Sequence, residues 1–86
     1  MHAIEVLELA MDVAERLGYQ IRQEYLGGAE GGACEFGGKK WIFIDLALST
    51  VEQVEQVVQA LEADNDVHTI ELPAPLTRLF TARRAA

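Results

Sequence analysis

The side chains able to do chemistry are few. Cys34 is the only cysteine, His2 and His68 are the only histidines, and Asp45 is a carboxylate set in the most hydrophobic stretch, beside the only tryptophan, Trp41. A nucleophilic thiol needs a helix N-terminus, a cation or a histidine to lower its pKa. None of these adjoins Cys34 in sequence, although Lys39 and Lys40 lie across a turn. Alternation with Phe36 makes Cys34 a small apolar core residue on this reading. Zinc needs three or four clustered N, S or O donors. Neither histidine has a second ligand at helical or hairpin spacing, so no metal or other cofactor is expected. Asp45 reads as a general base or, preferably, as a carboxylate that closes its strand and caps the following loop. The remaining enzymatic or ligand-binding option is a pocket holding Cys34, Trp41, Asp45 and a tyrosine.

Gly27-Gly28-Ala29-Glu30-Gly31-Gly32 packs four glycines into six residues. That density invites comparison with a phosphate cradle. A phosphate loop needs a following helix whose N-terminus faces the anion, and here a strand follows. A flexible connection is the better reading.

These residues sit in 86 positions with a formal net charge of −7. A chain this short buries only about 60% of its unfolded surface, so one domain over residues 1–86 is expected. The acidic balance argues against nucleic acid and anionic membrane as partners, since both need a basic footprint. No Lys or Arg occurs from Trp41 to Thr77, whereas Arg78, Arg83 and Arg84 cluster near the end. They read as a solvated tail, frayed over 83–86, or as a tail docking on an acidic partner surface. A single cysteine forms no internal disulfide, which points to a reducing, cytoplasmic setting. The N-terminal stretch lacks a basic leader, and no apolar run approaches the roughly 18 residues of a membrane span.

The elements that position these groups follow from periodicity. Ile4, Leu7, Met11, Ala14 and Leu17, with Ala3 and Ala10, form the stripe of a helix over residues 3–17, which Val6, Leu9 and Val13 widen; Gly18 ends it. Residues 19–26 alternate as a half-buried strand. Residues 33–36 and 39–46 make a hairpin about the Gly37-Gly38 turn. The second arm is apolar on both faces, with Ile42, Ile44 and Leu46 on one and Trp41, Phe43 and Asp45 on the other, so it is expected to be central or to have one face covered by more than helix. Ser49 and Glu52 have capping-box spacing for a helix to Ala63, whose stripe is Val51, Val54, Val57, Val58 and Leu61. Residues 67–72 alternate as a short edge strand, Pro73 and Pro75 stop it, and Leu76, Leu79 and Phe80 mark a short last helix. The expected fold is α+β: helix, three-stranded antiparallel meander, helix, short edge strand and short C-terminal helix, with both long helices on one sheet face.

The order helix, three strands and capped helix, with a third strand ending Ile42-Phe43-Ile44-Asp45-Leu46-Ala47-Leu48-Ser49-Thr50, is similar to the first half of zincin-type metallopeptidase domains. That resemblance implies a helix bearing two zinc histidines and a catalytic glutamate in an HExxH motif. The corresponding helix, Val51 to Ala63, has no histidine and the chain has no HExxH. The implied chemistry is lost, leaving a zincin-like scaffold that binds peptide at a sheet edge. Nearly the whole chain also resembles short bacterial proteins with no assigned activity. The shared features are Leu17-Gly18-Tyr19, Gly31-Gly32-Ala33-Cys34, Lys40 to Leu46, the capped helix and Pro75 to Phe80. The leading expectation is a non-enzymatic protein-interaction module, with self-association as a homodimer. The support is the missing catalytic set together with apolar groups on both faces of residues 39–46 and over a wide arc of the first helix.

Overall fold

A computed structural model describes residues 2–85, with side chains through Arg83. Helix α1 (Ala3–Arg16) leads into β1 (Tyr19–Glu24), β2 (Gly32–Phe36) and β3 (Lys39–Asp45); α2 (Thr50–Glu62), a 3-10 turn (Asn65–Thr69) and α3 (Ala74–Ala85) follow. The architecture is α+β, with the helices layered on one face of a three-stranded mixed sheet. No helix among the described residues is long and apolar enough to cross a membrane.

The sheet is not a meander. Its order is β1-β3-β2, with β1 parallel and β2 antiparallel to β3. A meander would have put β2 in the middle. The strand apolar on both faces takes that place instead, hydrogen-bonded on both edges and flanked on both sides by β1 and β2. The glycine-rich connection makes this possible. Residues 25–31 bridge the end of β1 and the start of β2 across two strand spacings, roughly 10 Å. The hairpin then returns β3 into the gap, turning at Gly37 and Gly38 with φ of 60° and 74°, positive values that glycine adopts without strain.

Alternation along β3 sends Ile42 and Ile44 inward, where both are completely buried. They meet Leu7, Ala10, Val13 and Ala14 of α1 and Val54, Val57, Val58 and Leu61 of α2. Fully burying each large aliphatic group contributes about 1.5–3 kcal/mol. The buried residues of α1 are Leu7, Ala10, Val13 and Ala14, all within the expected apolar arc, while Ile4 at its start is left half exposed. Val51, also expected in the core, is exposed in the first turn of α2.

Ser49 and Glu52 form the expected capping box: the Ser49 hydroxyl accepts from the Glu52 N–H at 3.2 Å, and Glu52 accepts from the Ser49 N–H at 3.0 Å. Residues 67–72 do not form an edge strand. The Asp64 carboxylate accepts the Asp66 N–H, the Thr69 hydroxyl donates to the Asp66 carbonyl, and Val67 is buried as the plug of a 3-10 turn. The last helix is longer than expected. Pro75 lies in its first turn, where no intrahelical N–H bond is needed, and Leu76 and Phe80 join the core.

Candidate functional site

Two regions concentrate unusual side chains. The first is a cleft of about 360 Å³ lined by Tyr19, Ala33, Cys34, Glu35, Lys40, Ala63 and Asp64. Tyr19 and Lys40 are register partners on β1 and β3, so their side chains emerge side by side on the helix-covered face. The Tyr19 phenol donates to Asp64 Oδ2 at 2.6 Å, and Lys40 Nζ donates to the same oxygen at 3.2 Å. Lys40 also donates to the Leu17 carbonyl at the end of α1, at 2.9 Å, and sits 4.4 Å from the centre of the Tyr19 ring. Burial and the adjacent Asp64 carboxylate push the Tyr19 phenol up to about 12, and the phenol's hydrogen bond holds Asp64 below the usual carboxylate range. A phenol kept protonated and an ammonium already paired are poor bases and nucleophiles at neutral pH. The trio ties the end of α1, β1, β3 and the end of α2 together. Only the Glu35 carboxylate in the cleft has no protein partner among the described residues.

The second region is the sheet face turned away from the helices. Phe36, Trp41 and Phe43 stack there, with ring centroids 5.8 Å and 6.1 Å apart and planes 12° and 19° from parallel. Cys34 and Gln20 flank Trp41; Gly32 and Arg22 flank Phe43. Phe36 is 59% exposed. The Trp41 indole N–H is buried with no acceptor among the described residues. Phenylalanine would fill the same place without that cost, typically 1–3 kcal/mol.

Cys34 is exposed rather than a core residue. Its register partner is Trp41, so its side chain belongs to the outer face, which no helix among the described residues covers, although the residue also lines the cleft. Asp45 stands four residues along β3 from Trp41. Its Oδ1 accepts the Ala47 N–H at 2.9 Å and the Leu26 N–H at 3.4 Å, closing the loops at that end of the sheet. Cys34, Trp41 and Asp45 thus share a face but line no common pocket. Arg78 is exposed on α3, Arg83 donates to Glu62 at 2.6 Å, and the Arg84 side chain lies outside the described residues. Among the described residues no three His, Cys, Asp or Glu side chains gather as a metal site.

The Tyr19–Lys40–Asp64 trio is absent from the sequence reading. Tyr19 and Lys40 are signalled only by alternation, and Asp64 reads as a turn residue. Their meeting depends on the parallel β1–β3 register. No family model matches the chain, and no curated protein or solved structure is similar enough to count as a relative. The resemblances drawn from its motifs rest on those residues alone.

Proposed function

We propose that this chain is a non-enzymatic module that works by binding protein, with the outer face of its sheet as the contact surface. The observation that supports this reading most is the Phe36–Trp41–Phe43 stack on the face opposite the helices. Stacked aromatics with a neighbouring arginine are the residues that interface centres favour; Phe36 is exposed, while Trp41 and Phe43 are half-buried among their sheet neighbours with no helix over them among the described residues. The reading suits an exposed free thiol in a reducing cytoplasm. A photoreactive amino acid at position 36, expressed in the native host, tests it. A discrete protein adduct from position 36, missing from a control probe at the exposed Glu8 on α1, is expected. Equal adduct patterns from the two positions overturn the reading.

The 360 Å³ cleft favours a second reading, a small-ligand site. Its cation and its deepest carboxylate already satisfy each other, which leaves Glu35 as the free group. A zincin-like scaffold adding a peptide strand at β1 or β2 is a third, supported only by both being the edges of the sheet.

A further inference from the structure

The outer face carries a charge pattern that specifies its partner. Along β3 the outward residues are Lys39, Trp41, Phe43 and Asp45: a cation, two aromatics and an anion in a row. A two-fold axis lying between two facing sheets, perpendicular to the strands and level with Ile42, reverses this row onto itself. Lys39 then faces Asp45, and Trp41 faces Phe43. Lys39 has no ion-pair partner among the described residues, and Asp45 uses only Oδ1 in closing its loops. Arg22 is balanced within the chain by Glu24 at 2.9 Å, so β1 presents no net charge to its own symmetry mate.

We infer that the partner is a second copy of this chain, docked outer face to outer face about that axis, with Lys39 of each copy against Asp45 of the other. This rests on the association reading above and deepens it. The arrangement is isologous and closes at two copies. Sheets packed face to face stand about 10 Å apart. The face measures roughly 14 by 23 Å from strand spacing and rise, less than the roughly 800 Å² per partner of a standard interface. The dimer is therefore a weak, reversible one. Cys34 is level with Trp41 and faces Gly32 of the other copy, and the two Cys34 Cα atoms lie about 12 Å apart by the same spacings. That is too far for a disulfide and within reach of a short bismaleimide.

The test uses the purified full chain in sedimentation equilibrium from micromolar to submillimolar concentration, with bismaleimide crosslinking through Cys34. The expected result is a monomer–dimer equilibrium and a crosslinked dimer. Lys39→Glu, which sets two acids against each other, raises the dissociation constant about tenfold; Arg78→Glu on α3 leaves it unchanged. Circular dichroism confirms that both variants fold. A monomer at every concentration overturns the homodimer, while an adduct from position 36 to another protein keeps the association reading alive. A dimer indifferent to Lys39→Glu but lost with Arg78→Glu places the contact at the C-terminal arginines and overturns the inference. Open-ended oligomers overturn the two-fold arrangement.

Discussion

Replacing Asp64 with alanine tests whether the cleft is a structural tie. Asp64 Oδ2 accepts from Tyr19 at 2.6 Å and Lys40 at 3.2 Å, and Oδ1 accepts from the Asp66 N–H at 2.8 Å. The phenol bond to a carboxylate contributes about 1.5 kcal/mol and the cap about 1 kcal/mol. The partly exposed ion pair adds about 0.5 kcal/mol. Water reaches the open side of the cleft and recovers part of this, so Asp64→Ala costs about 2–3 kcal/mol. A domain of this length has roughly 4–13 kcal/mol in total, so the midpoint of thermal unfolding drops roughly 10–20 °C. Urea unfolding reads it directly: the midpoint falls while the slope stays constant. Asp64→Asn keeps an acceptor and costs less. A loss below about 0.5 kcal/mol for Asp64→Ala would refute the tie. So would strict additivity of Tyr19→Phe and Asp64→Asn in a double-mutant cycle.

The same trio sets pH limits. Asp64 is held below the usual carboxylate range, so its contribution is present above its unfolded pKa and lost as pH falls through the folded value; Asp64→Asn flattens the acid limb of the stability profile. Tyr19 is raised to about 12, so its contribution is present below its ordinary value near 10 and lost as pH rises through about 12; Tyr19→Phe removes that alkaline loss. Ser49→Ala removes the capping box and costs about 1 kcal/mol by urea unfolding, and a neutral result contradicts the cap geometry. Gly31→Ala sets a Cβ 2.8 Å from the Phe43 carbonyl oxygen and closer still to the Gln56 amide; the carbonyl belongs to the central strand, so melting falls by about 1–3 kcal/mol equivalent. Cys34 reacts with Ellman's reagent in the dilute, monomeric native fold at a rate comparable to the unfolded chain; labelling only after unfolding contradicts its outer-face position.

The sequence made the local elements legible where one residue type carries one job. Ser49 with Glu52, Gly37 with Gly38, and Val54, Val57 and Val58 of α2 behave as their spacing implies. The central position of β3 was legible from its two apolar faces. That same fact excludes a meander in a three-stranded sheet, because a meander centres its second strand. The strand order was hidden because nothing local distinguishes a loop that bridges one strand spacing from a loop that bridges two. Cys34 was misplaced for a related reason: alternation groups it with Phe36 but does not tell which face the helices cover. Asp64 joins Tyr19 across 45 positions and Lys40 across 24, separations at which periodicity carries no information.

The central claim is that the Phe36–Trp41–Phe43 face is covered by protein when the chain is at work. Hydroxyl-radical footprinting in the native host measures this directly, with Tyr25, 77% exposed and outside the stack, as the internal reference. Phe36 and Trp41 are expected to be oxidised less, relative to Tyr25, in cells than in the dilute purified chain. Equal ratios in the two settings would contradict the claim.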